Sequence, residues 1–171
     1  PWQLHPNMQK TKEGLDLEST QQRLWITEFV PLRKGVVSEK QISQAWDKLA
    51  DKWTGKYDEY GDINRRYIID PAIFRLVGSV KGLSILDAGC GNGYLCRLLA
   101  KQGAKMTGVD LSKKLVEIAR QKEREAPLGI TYYAGTLCNL AMLRDKTFDL
   151  VISNLVLMDL PDLDKAVKEL Q

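Results

Sequence analysis

Three alternating glycines, Gly89, Gly91 and Gly93, follow at once on the apolar run Leu83-Ser84-Ile85-Leu86-Asp87-Ala88, and a segment of helical periodicity opens right after them. A loop without Cβ atoms lets backbone N–H groups and a helix N-terminus press against a ligand. In open α/β sheets ligands bind beyond the carboxyl ends of the strands, where a strand–glycine–helix turn must lie. The spacing is not the dinucleotide fingerprint, G-x-G-x-x-G or A. Counting from Gly89 and Gly91, the third glycine position falls on Tyr94, whose bulk would obstruct the close helix–strand contact that fingerprint needs.

Downstream, the pattern alternates between strands and helices. Gly93 to Gln102 reads as a helix with Leu95, Leu98 and Leu99 inward, and Gly103 stops it. Ala104 to Asp110 is the second strand. Ser112 caps a helix with Leu115, Ile118 and Ala119 on one face, ending before Pro127. Ile130 to Ala134 and Phe148 to Ser153 are further strands, and Asp162 to Leu170 begins another helix. This alternation means βαβ units and a parallel sheet. Upstream, Ser38 to Lys56 is helical in period through Ile42, Ala45, Trp46 and Leu49. A helix from Asp62 to Val77 contains Pro71, which divides it into two if it breaks the hydrogen-bond ladder. Residues 1–38 are polar and weakly periodic. Their stretch Leu24 to Val30 is rich in strand formers, so the region is an extra element, an arm or a linker. The expected organisation is that N-terminal region over 1–38, N-terminal helices over 39–80, and a Rossmann-like α/β core over 81–171.

Asp110 ends the second strand, 17 residues after Gly93, the span of one helix and one strand. An acid at that rim faces the ligand crevice and can accept both hydroxyls of a ribose. Its other role would be to cap the following helix, but Ser112 already serves there.

Composition narrows the class. The chain is mildly basic, at formal charge +3, which does not demand a nucleic-acid partner. The single histidine, His5, lies far from the glycine loop in sequence, so a histidine-based metal site or triad is not expected, and no metal is assigned. Cys90, Cys96 and Cys138 are odd in number and lack C-x-x-C spacing, which reads as reduced thiols in a cytoplasmic protein. Cys90, inside the loop, reads as a small apolar filler rather than a nucleophile. The longest apolar stretch, Leu150 to Met158, is interrupted by Ser153 and Asn154 and is too short to span a bilayer.

Three segments together, Leu86-Asp87-Ala88-Gly89-Cys90-Gly91-Asn92-Gly93, Gly108-Val109-Asp110-Leu111-Ser112 and Phe148-Asp149-Leu150-Val151-Ile152-Ser153-Asn154-Leu155-Val156-Leu157, resemble successive motifs of class I S-adenosylmethionine-dependent methyltransferases. Within that class the chain looks most like the branch holding quinone-biosynthesis and many small-molecule enzymes. The resemblance spans Leu83 to Leu170. It implies S-adenosylmethionine as cofactor and S-adenosylhomocysteine as product. Asp87, Ala88, Gly89, Cys90, Gly91 and Gly93 would hold the methionine part, Asp110 the ribose, and Leu111, Gly135, Thr136 and Leu137 the adenine. Asn154 and Leu155 would border the methyl-transfer site. Many relatives carry an aspartate where this chain has Thr136; a threonine hydroxyl or backbone atoms could substitute in the adenine contact. The class has no universal catalytic triad; Trp53, Tyr57, Tyr60, Arg65 and Tyr67, with Asn154, are the candidates here.

Nucleobase amino-methyltransferases typically place Asn or Asp, Pro-Pro and an aromatic after the fourth strand, to stack a flipped base. This chain has Asn154-Leu155-Val156-Leu157, so a small-molecule acceptor is expected and nucleic acid is not. Other readings remain: a non-catalytic cofactor-binding module, or an RNA or protein methyltransferase using residues 1–38 as an arm. Four of the usual seven strands are present. The expectation is therefore a sheet completed by a further C-terminal segment or by a homo-oligomer, because the fourth strand would otherwise be an open edge.

Overall fold

The computed structural model describes residues 37–55, 64–143 and 146–171; the strand-former-rich stretch 24–30 and the candidates Tyr57 and Tyr60 lie outside them. Among the described residues, four parallel strands form one sheet: β1 (Ser84–Ala88), β2 (Lys105–Asp110), β3 (Thr131–Ala134) and β4 (Leu150–Ile152), in the order β3-β2-β1-β4. β1 is central, with Asp87 opposite Gly108 on one side and Ile152 on the other. The four strands expected between Leu83 and Ser153 are present, each slightly shorter than the apolar pattern. β4 shows why: beyond its ends the pairing passes to side chains. The Asp149 carboxylate accepts the Ser84 N–H at 2.8 Å, and the Ser153 hydroxyl donates to the Ala88 carbonyl at 3.0 Å.

Most buried strand positions are apolar, because both faces are covered. On one face Ile85, Met106, Tyr132 and Ile152 pack with Leu95, Cys96 and Leu99 of α3 (Tyr94–Lys101) and Val116 and Ala119 of α4 (Lys113–Glu125). On the other, Leu86, Ala88 and Val109 pack with Leu137, Leu143 and Ala166, the last from α5 (Leu163–Leu170). Leu98 and Ile118, expected inward, are only half-buried, while Cys96 and Val116 are fully buried in their place. Cysteine and valine are small enough to let helix and sheet approach.

α1 (Glu39–Thr54) begins at the expected cap. Ser38 and Gln41 form a reciprocal capping box, which satisfies two otherwise orphan N–H groups. Ala45 and Leu49 of this helix are exposed, and Ala50 is its buried residue. The helix expected around Pro71 changes type within its length, a π-helical turn over Arg65–Ile69 running into α2 (Asp70–Val77). Pro71 has no N–H to give Tyr67 and its ring crowds that carbonyl. The wider turn relieves this, with Asp70 N–H donating to Arg65 O.

The chain moves outward from β1 to β2 to β3 and then crosses back to place β4 on the other side of β1. The sheet's switch point thus lies between β1 and β4, where a crevice opens at the strands' carboxyl ends. No helix among the described residues is long and apolar enough to cross a membrane.

Candidate ligand crevice at the switch point

The loop after β1 is fixed by its own backbone. Gly89 and Cys90 both donate to the Val109 carbonyl, at 2.7 and 3.0 Å, and Gly93 N–H returns to Cys90 O at 3.0 Å. All three glycines have left-handed φ, +92°, +53° and +76°, a region side chains rarely adopt. They do different work. A Cβ on Gly89 would lie 2.2 Å from the Val156 side chain, and one on Gly93 would lie 2.5 Å from the Tyr132 hydroxyl. At Gly91 it would meet nothing within 4 Å. Gly91 is therefore the open face of the loop, while Gly93 lets α3 pack on the sheet.

Asp110 ties this loop to the next strand. One carboxylate oxygen accepts Gly91 N–H and the other Ser112 N–H, both at 2.8 Å. Burial pushes its pKa up, against the pull of these two bonds. Ser112 caps α4 through Leu115 N–H at 3.1 Å, so the aspartate serves the rim rather than the helix.

A cavity of about 310 Å³ opens beside these groups. Its floor is Gly89, Gly91, Asp110 and Leu111; one end is Thr136 and Leu137; Asn154, Leu155, Val156, Met158 and Asp159 form one wall and α1 supplies the other through Glu39, Ile42, Trp46 and Trp53. Trp46 and Trp53 meet edge to face, centroids 5.5 Å apart. Burial raises the pKa of the Asp159 carboxylate, and the neighbouring Trp46 side chain pulls it down. α1 is held in place by polar contacts to the start of α4. Ser43 donates to Leu111 O at 3.1 Å, and Asp47 accepts from the Ser112 hydroxyl at 2.6 Å and from Lys114 N–H at 3.1 Å.

A smaller pocket of about 50 Å³ adjoins it between Arg65, Asp87, Gly91, Asn92 and Asn154. Asp87 is 2% exposed. Burial lifts its pKa to about 7, opposed by the Cys96 thiol, which donates to it at 3.3 Å. Asn92 uses its carbonyl to cap α3 at Tyr94 N–H, 3.2 Å away. Its buried amide nitrogen has no hydrogen-bond partner. Desolvating a donor in this way costs on the order of 1–3 kcal/mol, which an acceptor entering the pocket would recover. Arg65 also stacks over the Tyr94 ring at 5.6 Å, and Tyr94 donates to the buried Asp70 at 2.6 Å.

Of the residues singled out in sequence, Asp87, Gly89, Cys90, Gly91, Asp110, Leu111, Thr136, Leu137, Asn154 and Leu155 line one or both spaces, as do Trp53 and Arg65. Ala88, Gly93 and Gly135 stand behind them: Ala88 is fully buried, and a Cβ on Gly135 would strike Met142 at 2.3 Å. Tyr67 is 67% exposed and borders neither space. Glu39, Trp46, Asn92, Val156 and Asp159 are lining residues that motif reading passes over. The signal for Asp159 was a lone acid inside Leu157-Met158-Asp159-Leu160; Trp46 carried only helical spacing, the same for a core residue and a wall.

The architecture is the Rossmann-like sheet of class I methyltransferases. Residues 86–171 match the family described as methyltransferase domain, and the chain belongs to that family. A ubiquinone biosynthesis O-methyltransferase from Alkalilimnicola ehrlichii is 32% identical over 71% of this chain and 50% of its own length. The chain thus spans about half the length of such curated relatives. The magnesium protoporphyrin IX methyltransferase of Synechocystis PCC 6803, solved with bound S-adenosylmethionine, superposes with TM-score 0.58 at 29% identity, covering 78% of this chain and 71% of that one. The [4+2]-cyclase SpnF superposes with TM-score 0.62 at 21% identity, over 78% of this chain and 55% of its own; this likeness is one of fold alone.

Proposed function

We propose that this chain forms the cofactor-binding part of an S-adenosylmethionine-dependent methyltransferase acting on a small, largely apolar acceptor. The observation that carries the reading is the continuous rim from Gly91 through Asp110 to Thr136. An open glycine, a buried carboxylate and a closed end lie there in the order of a ligand with an amino-acid head, a diol and a ring. The pocket fits the head. Asp87 suits an ammonium, and the orphan Asn92 amide and the Arg65 guanidinium suit a carboxylate. Asp110 retains lone pairs beyond its two backbone bonds, which can accept both ribose hydroxyls. Leu111 and Leu137 flank the ring.

S-adenosylmethionine held there would supply an activated methyl group, passed to an acceptor atom as the carbon–sulfur bond breaks and S-adenosylhomocysteine leaves. The chain's own contribution is alignment and exclusion of water. Asn154 and Leu155 border the head of the rim, and Trp46, Trp53 and Met158 offer an apolar bed for an acceptor. Asp159, beside Trp46, can take a proton from an acceptor hydroxyl if one must be lost. The ubiquinone relatives and this carbon-rich wall together favour a hydroxylated aromatic acceptor.

The test is calorimetric titration of S-adenosylhomocysteine into the full chain and its Asp110→Ala variant. Saturable binding, weakened about 100-fold in the variant, is the expected result. A folded chain that binds nothing overturns the proposal.

A further inference from the structure

Thr136 stands where a hydrogen-bonding acid would serve an aromatic amine, yet its hydroxyl has no proton to offer a ligand. That proton goes to the Glu39 carboxylate, and the hydroxyl oxygen already accepts Cys138 N–H at 3.0 Å. Glu39 comes from the first turn of α1, 97 residues away in sequence, and both side chains line the cavity beside Leu111 and Leu137. α1 cannot drift from this position freely, because Ser43 and Asp47 tie it to Leu111, Ser112 and Lys114.

We propose that Glu39, oriented by Thr136, is the specificity-determining acceptor for the exocyclic amine of the ligand's purine ring. The inference rests on the cofactor reading above. With β1, β2 and β3 side by side, a ligand whose head sits at Gly91 and whose diol sits at Asp110 carries its ring to the end of β3, where Thr136 follows. There a carboxylate accepts hydrogen bonds and donates none. It favours an amino group and repels a carbonyl oxygen at the same position. The acid that the strand-end position lacks is thus supplied across the cavity by a helix.

The experiment compares two probes by equilibrium titration with the full chain: S-adenosylhomocysteine, and its deaminated counterpart S-inosylhomocysteine, in which the purine amine is a carbonyl. Wild type is expected to prefer the amine by about tenfold or more. Glu39→Gln presents an amide that can donate or accept, so the preference falls to within about threefold or inverts. Thr136→Ser retains the orienting hydroxyl and keeps the wild-type preference; Thr136→Val releases the carboxylate and weakens it. An unchanged preference in Glu39→Gln, with S-adenosylhomocysteine still bound and still dependent on Asp110, overturns this inference alone. Failure of wild type to bind either probe overturns it together with the cofactor reading.

Discussion

The two walls of the switch-point crevice are built on opposite plans. The rim after β1 is made of backbone. Five residues, Gly89 to Gly93, take four of their N–H or C=O partners from within the loop or from β2, and Asp110 locks the outermost glycine. The wall after β4 is made of side chains. Leu155, and Leu157 and Met158 from the 3-10 turn Leu157–Asp159, point outward at 53%, 41% and 61% exposure, and Leu155 is the one described non-glycine residue with positive φ, at +58°. A cofactor shared by many reactions is suited by the first plan, because backbone does not vary with sequence. An acceptor that differs from enzyme to enzyme is suited by the second.

The sharpest way to break this division is at the point where the walls touch. Gly89→Ala adds a methyl against Val156 and forces an unfavourable φ, so the unfolding free energy should fall by about 3 kcal/mol. Measured by denaturant, a double-mutant cycle with Val156→Ala should return at least ~1 kcal/mol of that loss. Strict additivity would mean the walls are independent.

Next comes the pH dependence of the rim. Asp87 and Asp110 both have folded-state pKa values above the unfolded ones, and that of Asp87 is about 7. The folded chain therefore holds more protons than the unfolded chain. Stability is fullest below about pH 4 on this account and declines toward pH 7, by up to about 1.4 kcal/mol per unit for each such group. Asp87→Asn should flatten the slope in denaturant titrations at pH 4.5, 5.5, 6.5 and 7.5, as conditions spanning the shift. An unaltered slope would place the protons elsewhere.

On the other wall, Asp159→Asn should lower turnover of a hydroxyl acceptor by about 100-fold while leaving S-adenosylhomocysteine affinity within about threefold. Equal loss of both would make Asp159 a structural residue. Smallest of all, Leu155→Gly and Met158→Ala should each change stability by under about 1 kcal/mol, since one side chain is strained and both are exposed. Their effect should appear in KM for the acceptor, read from initial rates.

This contrast also governs what could be read from the chain beforehand. The rim was legible because positions 89, 91 and 93 take φ values that side chains rarely adopt, so glycine marks them, and because Asp110 closes a strand one helix further on. That the strands run parallel followed from the alternation of elements; their order, β3-β2-β1-β4, did not. The opposite wall was not legible, since Val156 and Met158 in an apolar run look the same whether they face a core or a cavity. Glu39 was harder still: its proposed role depends on α1 lying over the end of β3, and a separation of 97 residues leaves no local sequence signal of that meeting. Pro71 pointed to an interruption, and the chain absorbed it by widening one turn rather than by stopping the helix.

The tethering of α1 to the head of α4 bears on how much of the chain shapes the crevice. The segment that matches the family opens at Leu86, inside β1, yet Glu39, Trp46 and Trp53 shape the same cavity as Asp110 and Thr136. A polypeptide cut to the matched segment would lose the first two residues of its central strand and one whole side of its binding chamber. The family match lies in the half of the chain that carries the glycine loop and Asp110. On the proposed reading, selectivity is written partly upstream of that match, and a swap of α1 between relatives is the smallest transplant that could carry it from one scaffold to another.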